Sequence, residues 1–222
     1  MNRQPHTISF YRKKLPHWEV ADGIYFVTIR RHGSIPMEII AKIRKMSLEL
    51  ENLSDGDALN IRRKIFKTME NELDKSDKKC DLIKSPISKI IIEAIKNRAD
   101  KNIWRMVEYV IMPNHIHLFL QCGQKSLAAA IRDFKRWTTS RINMDCPEYS
   151  RGPFWQREWF DHWSRSADFD EKFKLYIRNN PAKAGLVKDY KDWPFGSWAQ
   201  NTQVNDEHRL DLTRPSLDEA GS

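Results

Sequence analysis

The run Tyr109-Val-Ile-Met-Pro-Asn-His-Ile-His-Leu-Phe-Leu120 constrains the fold more than any other part of the chain. It is apolar, rich in β-branched and aromatic residues, and holds two histidines separated by a single isoleucine. Side chains alternate faces along a strand, so His115 and His117 emerge together while Ile116, Leu118 and Leu120 face the other way. The aliphatic face needs a packed layer against it. Two imidazoles side by side on the opposite face suit a metal ion. Spacing alone leaves a second reading open, a pair of half-exposed strand histidines with no ligand. Two donors also fall short of a catalytic centre, which needs a third ligand and open positions.

The neighbouring sequence supplies an α+β frame for that strand. Ile24–Arg30 reads as a first strand after the turn at Asp22-Gly23. Residues 37–80 are highly charged and helical in tone, with helices expected over 37–50 and 60–73, the second striped by Ile61, Ile65, Phe66 and Met69. Ser85 and Pro86 are expected to cap and start a helix whose apolar face is Ile87, Ile90, Ile91, Ala94 and Ile95. Strand 103–111 then turns at Pro113-Asn114 into the histidine strand as an antiparallel neighbour. A helix over 126–143, a strand over 154–162 and a helix over 168–179 complete the order. Asp168 is the expected cap of the last helix, and Pro181 its expected end. Such an order points to an antiparallel sheet with packed helices, resembling the ferredoxin-like plan. Residues 1–200 form one domain in this reading, with 37–80 as a helical insertion and 201–222 as a polar, disordered tail.

Composition narrows the partners. A formal charge of +8 favours a polyanion, with nucleic acid ahead of a membrane surface. No apolar run approaches the roughly 18 residues of a membrane span, and the polar N-terminus is not a signal peptide, so a cytoplasmic protein is expected. The three cysteines have no CxxC spacing and their odd number argues against a disulfide framework.

The missing ligand has a candidate in Phe173-Lys-Leu-Tyr-Ile-Arg-Asn-Asn-Pro181. Tyr176 and Asn180 stand four residues apart, so one helical face can present a phenol and an amide together. Asn180 precedes a proline, which makes that face argument approximate, and a tyrosine near a helix end is commonly a packing residue. For nucleic acid, Lys125, Arg132, Lys135 and Arg136 place charge on the helix after the histidine strand, and Arg12-Lys13 lies in a basic N-terminal cluster. Trp155, Trp159 and Trp163 alternate with Arg157 and Arg165, a pattern that serves either base stacking or core packing.

Four motifs in order, MPNHIHLFL, GPFWQREWFDHWSR, YIRNNPAKAGLV and DWPFGSW, resemble the single-tyrosine HUH transposases, and within them the REP-associated tyrosine transposases. The likeness runs from the first strand to about Trp198. It implies an HUH endonuclease fold, with His115 and His117 as metal ligands, Tyr176 as nucleophile and Asn180 as the residue that completes the metal site. It further implies single-stranded DNA bearing a palindromic hairpin as substrate, a covalent 5′-phosphotyrosine intermediate, and a monomer in preference to a homodimer. Ala182 and Phe195-Gly196 depart from the usual pattern without touching those residues. Mixed nitrogen and oxygen donors suit Mg²⁺ or Mn²⁺, with Zn²⁺ still admissible. A phenol, with an ordinary pKa near 10, needs such an electrophilic aid. Two rivals remain at this stage: a non-catalytic RRM-like module that binds single-stranded nucleic acid, and a hydrolase acting through a metal-bound water.

Overall fold

The structure, a computed structural model, describes residues 3, 7–12, 16–50, 55–75, 80–123 and 125–199. Its centre is a four-stranded antiparallel sheet made of β3 (Ile24–Arg30), β4 (Trp104–Ile111), β5 (His115–Cys122) and β6 (Phe160–Trp163), in the order β4-β5-β3-β6. The histidine strand β5 is therefore interior, paired on one side with β4 and on the other with β3. Met112 N–H donates to His115 O at 2.8 Å, closing the tight connection between β4 and β5 around Pro113-Asn114.

Strand alternation sorts the two faces as the sequence requires. Ile116, Leu118 and Leu120 join Val27 and Ile29 in a core covered by α3 (Ile87–Asp100) and α4 (Leu127–Asp145). Ile90, Ile91, Ala94 and Ile95 from α3, with Ile131, Phe134 and Ile142 from α4, fill that layer at helical spacing. On the other face Phe26, Val110 and Phe119 pack under Ile177 of α5 (Ala167–Lys183), next to Trp193. A third group is formed by α1 (Met37–Glu49) and α2 (Asp55–Lys75), whose Met69 and Leu73 meet Ile35. The α+β antiparallel plan expected from the sequence is the one observed.

Several boundaries differ from expectation. Ser85-Pro86 precedes α3 without capping it: Pro86 occupies the cap position, and the first turn is bonded through the carbonyls of Lys84 and Pro86. Only Phe160–Trp163 of the expected 154–162 strand is sheet. Trp155 and Trp159 are buried instead in the α4 layer, where Trp155 Nε1 donates to Thr138 Oγ1 at 2.8 Å. Around Trp155 the segment still bridges the end of β3, with His32 N–H donating to Phe154 O at 3.0 Å and Gln156 N–H to Arg30 O at 2.9 Å, and the carbonyls of Gln156 and Arg157 then accept from the Lys135 ammonium. The N-terminal region holds a two-stranded hairpin, β1 (Thr7–Arg12) with β2 (Pro16–Val20), where no strand was expected.

Helix α5 begins one residue earlier than expected and continues through Pro181 to Lys183, capped by Ser166 rather than Asp168. Proline removes one amide donor but does not end this helix, because the following residues close it with a two-bond cap. Leu186 N–H reaches Pro181 O at 3.0 Å and Gly185 N–H reaches Ala182 O at 3.0 Å. Gly185, at φ 71°, supplies the left-handed turn that this Schellman arrangement needs. Asn180 consequently sits in regular helix, one full turn beyond Tyr176. No helix among the described residues is long and apolar enough to cross a membrane. The 201–222 tail lies outside the described residues.

Candidate metal centre and nucleophile

Three elements converge on the face of β5 opposite the main core. The strand brings His115 and His117, α5 brings Tyr176 and Asn180, and α2 brings Glu70. Both histidines and Asn180 have at most 1 % of their surface exposed, and Glu70 has 2 %. His115 Nε2 and His117 Nε2 are 3.1 Å apart, and His117 Nε2 lies 3.2 Å from both Asn180 Nδ2 and Glu70 Oε2. The Tyr176 hydroxyl donates to Glu70 Oε2 at 2.5 Å. The separation between strand and tyrosine helix, on which the sequence reading depended, is thus a matter of hydrogen-bond distances.

The outer nitrogens of the imidazoles are held from behind. His115 Nδ1 meets Asn114 Oδ1 at 2.7 Å, and the same amide's Nδ2 donates to Leu73 O on α2 at 3.0 Å. An amide oxygen only accepts, so His115 Nδ1 carries the proton and Nε2 presents a lone pair inward. His117 Nδ1 lies 3.0 Å from Thr28 Oγ1, its directly opposed neighbour on β3. The threonine hydroxyl can donate to His117 Nδ1, which leaves His117 Nε2 to donate to Glu70 in the metal-free protein or, once that proton is lost, to ligate a cation. Asn180 Oδ1 and Glu70 Oε1 are buried without a hydrogen-bond partner at the same place. Rotation of the Asn180 amide exchanges its nitrogen for that oxygen. Two imidazoles, an amide oxygen and a carboxylate form a mixed donor set that fits a divalent cation of the Mn²⁺ or Mg²⁺ type. Glu70, His115 and His117 alone place their donor atoms within 4.8 Å of one another.

The charges reinforce that fit. Burial works to raise the Glu70 carboxyl, but the charge and hydrogen bond of His117, with the Tyr176 hydroxyl, hold it down at about 2. It is therefore an anion at neutral pH. Burial, aided by the neighbouring His117, lowers His115 to about 3, so its inward nitrogen is free of a proton. Burial and the adjacent Glu70 push the Tyr176 phenol well above its ordinary value, with only the Asn180 hydrogen bond opposing. Without a counter-charge the phenol stays protonated.

Glu70 was not identified from the sequence. It stands between Met69 and the Leu73 turn of an apolar stripe running through Ile65, Phe66, Met69 and Leu73, and an acid on that face was the available signal. The expected cations fare unevenly. Arg132 and Arg136 are exposed on α4, across the sheet from Tyr176, with Lys125 exposed in the bend before that helix, and Arg136 pairs with Asp133 at 3.1 Å. Lys135 is committed to the carbonyls of Gln156 and Arg157, at 2.6 and 2.8 Å, and lies over the Trp159 ring. Arg157 is exposed beside that segment, and Arg165 lies half-buried over Trp163. Arg12 closes β1, its side chain outside the described residues, as is Lys13.

A histidine pair on an interior strand thus faces a helix carrying a tyrosine and an amide one turn apart, on an antiparallel sheet. Residues 75–180 match the family described as "Transposase IS200 like". A Haemophilus influenzae protein carrying the REP-associated tyrosine transposase name is 28 % identical over 120 residues, half of this chain and 68 % of that protein. The REP-associated tyrosine transposase of Escherichia coli is 27 % identical over 92 residues, 40 % of this chain and 52 % of its own length. Among solved structures, a REP-associated tyrosine transposase bound to a REP hairpin shares the fold, with a TM-score of 0.55 at 17 % identity, over 87 % of this chain and 84 % of that one. Over residues 75–180 the chain is similar to the IS200-like transposases, and the curated relatives it resembles carry the REP-associated tyrosine transposase name.

Proposed function

We propose that the protein is a divalent-metal-dependent enzyme that cuts and rejoins single-stranded DNA beside a hairpin, through a covalent bond from Tyr176 to a 5′-phosphate. The observation that carries this reading is the Tyr176 hydroxyl lying within one residue's reach of both histidines, hydrogen-bonded to the carboxylate that completes their cluster. In the cleavage step the phenolic oxygen bonds to phosphorus and the bond from phosphorus to the 3′ oxygen breaks. The 3′ oxygen takes up a proton, and Glu70, already accepting the phenol's hydrogen bond, is placed to receive the one that Tyr176 gives up. The phosphotyrosine conserves the energy of the broken linkage, so a 3′-hydroxyl can reverse the step and reseal DNA.

Mg²⁺ or Mn²⁺, held by His115, His117, Asn180 and Glu70, would draw charge from a phosphate oxygen and so ease attack by a reluctant phenol. Asn114 and Thr28 hold the buried imidazoles from behind and so aim Nε2 of each at the cluster. All four donors and the nucleophile come from one chain, which supports a monomer as the working unit in the bacterial cytoplasm. Arg132 and Arg136 on α4, with Lys125 just before it, offer charge to a hairpin stem from the far side of the sheet, and Arg157 and Arg165 add further cations.

A labelled oligonucleotide with a hairpin and single-stranded flanks, incubated with protein and Mn²⁺, is expected to give a covalent adduct on a denaturing gel. Tyr176→Phe should abolish the adduct and leave DNA binding intact, and EDTA should suppress it in the wild type. An adduct that survives Tyr176→Phe would refute the assignment. Cleavage without any adduct would favour a hydrolase acting through water.

A further inference from the structure

A half-open cleft of about 240 Å³ lies between α2 and α5 and is lined by the Tyr176 ring, whose hydroxyl meets Glu70 of the metal cluster. Its walls are almost wholly aromatic, built by Phe66, Phe160, Phe169, Phe173 and Tyr176, with His162 among them. The rings are arranged as walls rather than as a single stack. Phe66 and Phe160 meet at 4.8 Å between centroids, Phe66 and Tyr176 at 5.7 Å, and His162 and Phe173 at 5.5 Å. Phe173 is fixed from below by stacking on Phe26 at 5.1 Å, so that wall is rigid. Cations stand at the rim, with Arg63 exposed on α2 and Lys172 exposed on α5, the latter's ammonium 5.2 Å from the Phe169 ring.

A cleft below the roughly 300–1,000 Å³ of drug-sized pockets has room for one planar ring system and not for an extended ligand. Flat apolar walls with cations at the rim are the means by which proteins hold a single-stranded nucleotide: the base stacks and the backbone is tracked by charge. We propose that this cleft receives one unpaired base of the DNA strand, the base adjoining the phosphate presented to Tyr176. The inference rests on the strand-transfer reading of the site and adds to it a determinant of which nucleotide is cut. Tyr176 belongs to both places, its ring to the cleft wall and its hydroxyl to the metal cluster. A base seated against the ring therefore leaves its own sugar-phosphate at the hydroxyl end. His162 can select among bases, because burial and the charges of Arg165, Arg62 and Arg63 keep its imidazole neutral at physiological pH. A neutral ring offers one donor and one acceptor to a base edge.

The test uses the full chain in EDTA, so that no cleavage intervenes, with hairpin oligonucleotides carrying 5-iodouracil at one position of the single-stranded flank at a time. After irradiation, crosslinked peptides are identified by mass spectrometry. The expected result is one flank position that crosslinks to Phe160, Phe169 or Phe173. Phe169→Ala and, separately, Lys172→Glu should lower that yield about 10-fold, within the range of a single base–aromatic stack, while binding of the hairpin stem is unchanged. Crosslinks confined to other surfaces, or a yield unmoved by both variants, would overturn the proposal even if the Tyr176 adduct forms with metal. Crosslinking to the cleft without any adduct in metal would uphold the cleft as a base site and remove the strand-transfer reading instead.

Discussion

Replacing Glu70 by glutamine separates the electrostatics of the site from its shape. The side chain keeps its length and can still accept the Tyr176 hydroxyl, but the carboxylate of the cluster is gone. Two losses follow. In the metal-free protein the Glu70 carboxyl titrates near about 2 instead of its ordinary 4.5. A depressed folded value means stability that is present above pH 4.5 and lost as pH falls toward 2, amounting to about 3 kcal/mol. Glutamine mimics the protonated acid, so Glu70→Gln should be less stable than wild type by about that much at pH 7, with the gap closing in acid. The second loss concerns metal. At a concentration one hundred times its dissociation constant, a bound ion stabilises the folded protein by about 2.7 kcal/mol. If removing a donor weakens binding about 10- to 100-fold, the same ion stabilises the variant by only about 1.4 to about 0.4 kcal/mol.

Urea unfolding of both proteins at pH 7, in EDTA and in Mn²⁺ sufficient to saturate the wild type, measures the two quantities independently. The metal-free comparison reads the electrostatic loss, and the additional gap in Mn²⁺ reads coordination. An equal Mn²⁺-dependent gain in both proteins would remove Glu70 from the metal's ligands. Equal metal-free stability at pH 7 would refute the account of the carboxylate as an anion held by His117 and the Tyr176 hydroxyl.

Other perturbations test the surroundings. His162, which burial and nearby arginines lower to about 4 from an ordinary 6.5, contributes stability that is complete above pH 6.5 and lost toward pH 4, at most about 3 kcal/mol. His162→Gln should therefore show a shallower fall of the urea midpoint over that window than wild type, measured in EDTA; parallel curves would refute the shift. Lys135→Ala should lower stability by about 1–2 kcal/mol, through loss of charged hydrogen bonds to the carbonyls of Gln156 and Arg157. The same variant should leave affinity for single-stranded DNA unchanged in an anisotropy titration, and a loss of affinity without a loss of stability would return this lysine to the DNA surface.

Period-two alternation was enough to read the sheet and the histidine pair, because β5 is interior and buried on both faces, so its register admits no slip. The tyrosine helix was legible in kind and wrong in length. The rule that a residue before proline leaves the helix is local, and here it yields to the cap completed by Gly185 and Leu186 five residues on. That correction has a chemical consequence, since only an unbroken helix stacks Asn180 directly above Tyr176. The Trp155–Trp159 segment misled for another reason. Its alternation resembles a strand, and near Trp155 it does bridge the end of β3, but the carbonyls of Gln156 and Arg157 turn to the Lys135 side chain, a contact between distant parts of the chain that no local pattern carries. The β1–β2 hairpin was missed although Ile8 and Phe10 on β1, and Trp18 and Val20 on β2, stand at period two, because the basic run Arg12-Lys13-Lys14 between them gave the whole N-terminus a polar reading.

Glu70 is the most instructive omission. An acid beside an apolar stripe is ordinarily solvated, and nothing local distinguishes the one that turns inward. What distinguishes it is the set of contacts made by its helix. Asn114, which fixes His115, also binds Leu73 O on α2, and Lys183 at the end of α5 reaches Asp74 on the same turn at 2.7 Å. Those ties anchor α2 to both the histidine strand and the tyrosine helix. Phe66 and Glu70, four residues apart, then project from one face of that helix, the first into the aromatic cleft and the second into the donor cluster. A single rigid element thus sets the position of the acid that meets the nucleophile and of the ring that would meet the base. A shift of α2 that admitted a different nucleotide would move Glu70 away from Tyr176 at the same time, so in this chain the choice of strand position and the competence of the chemistry are mechanically one adjustment.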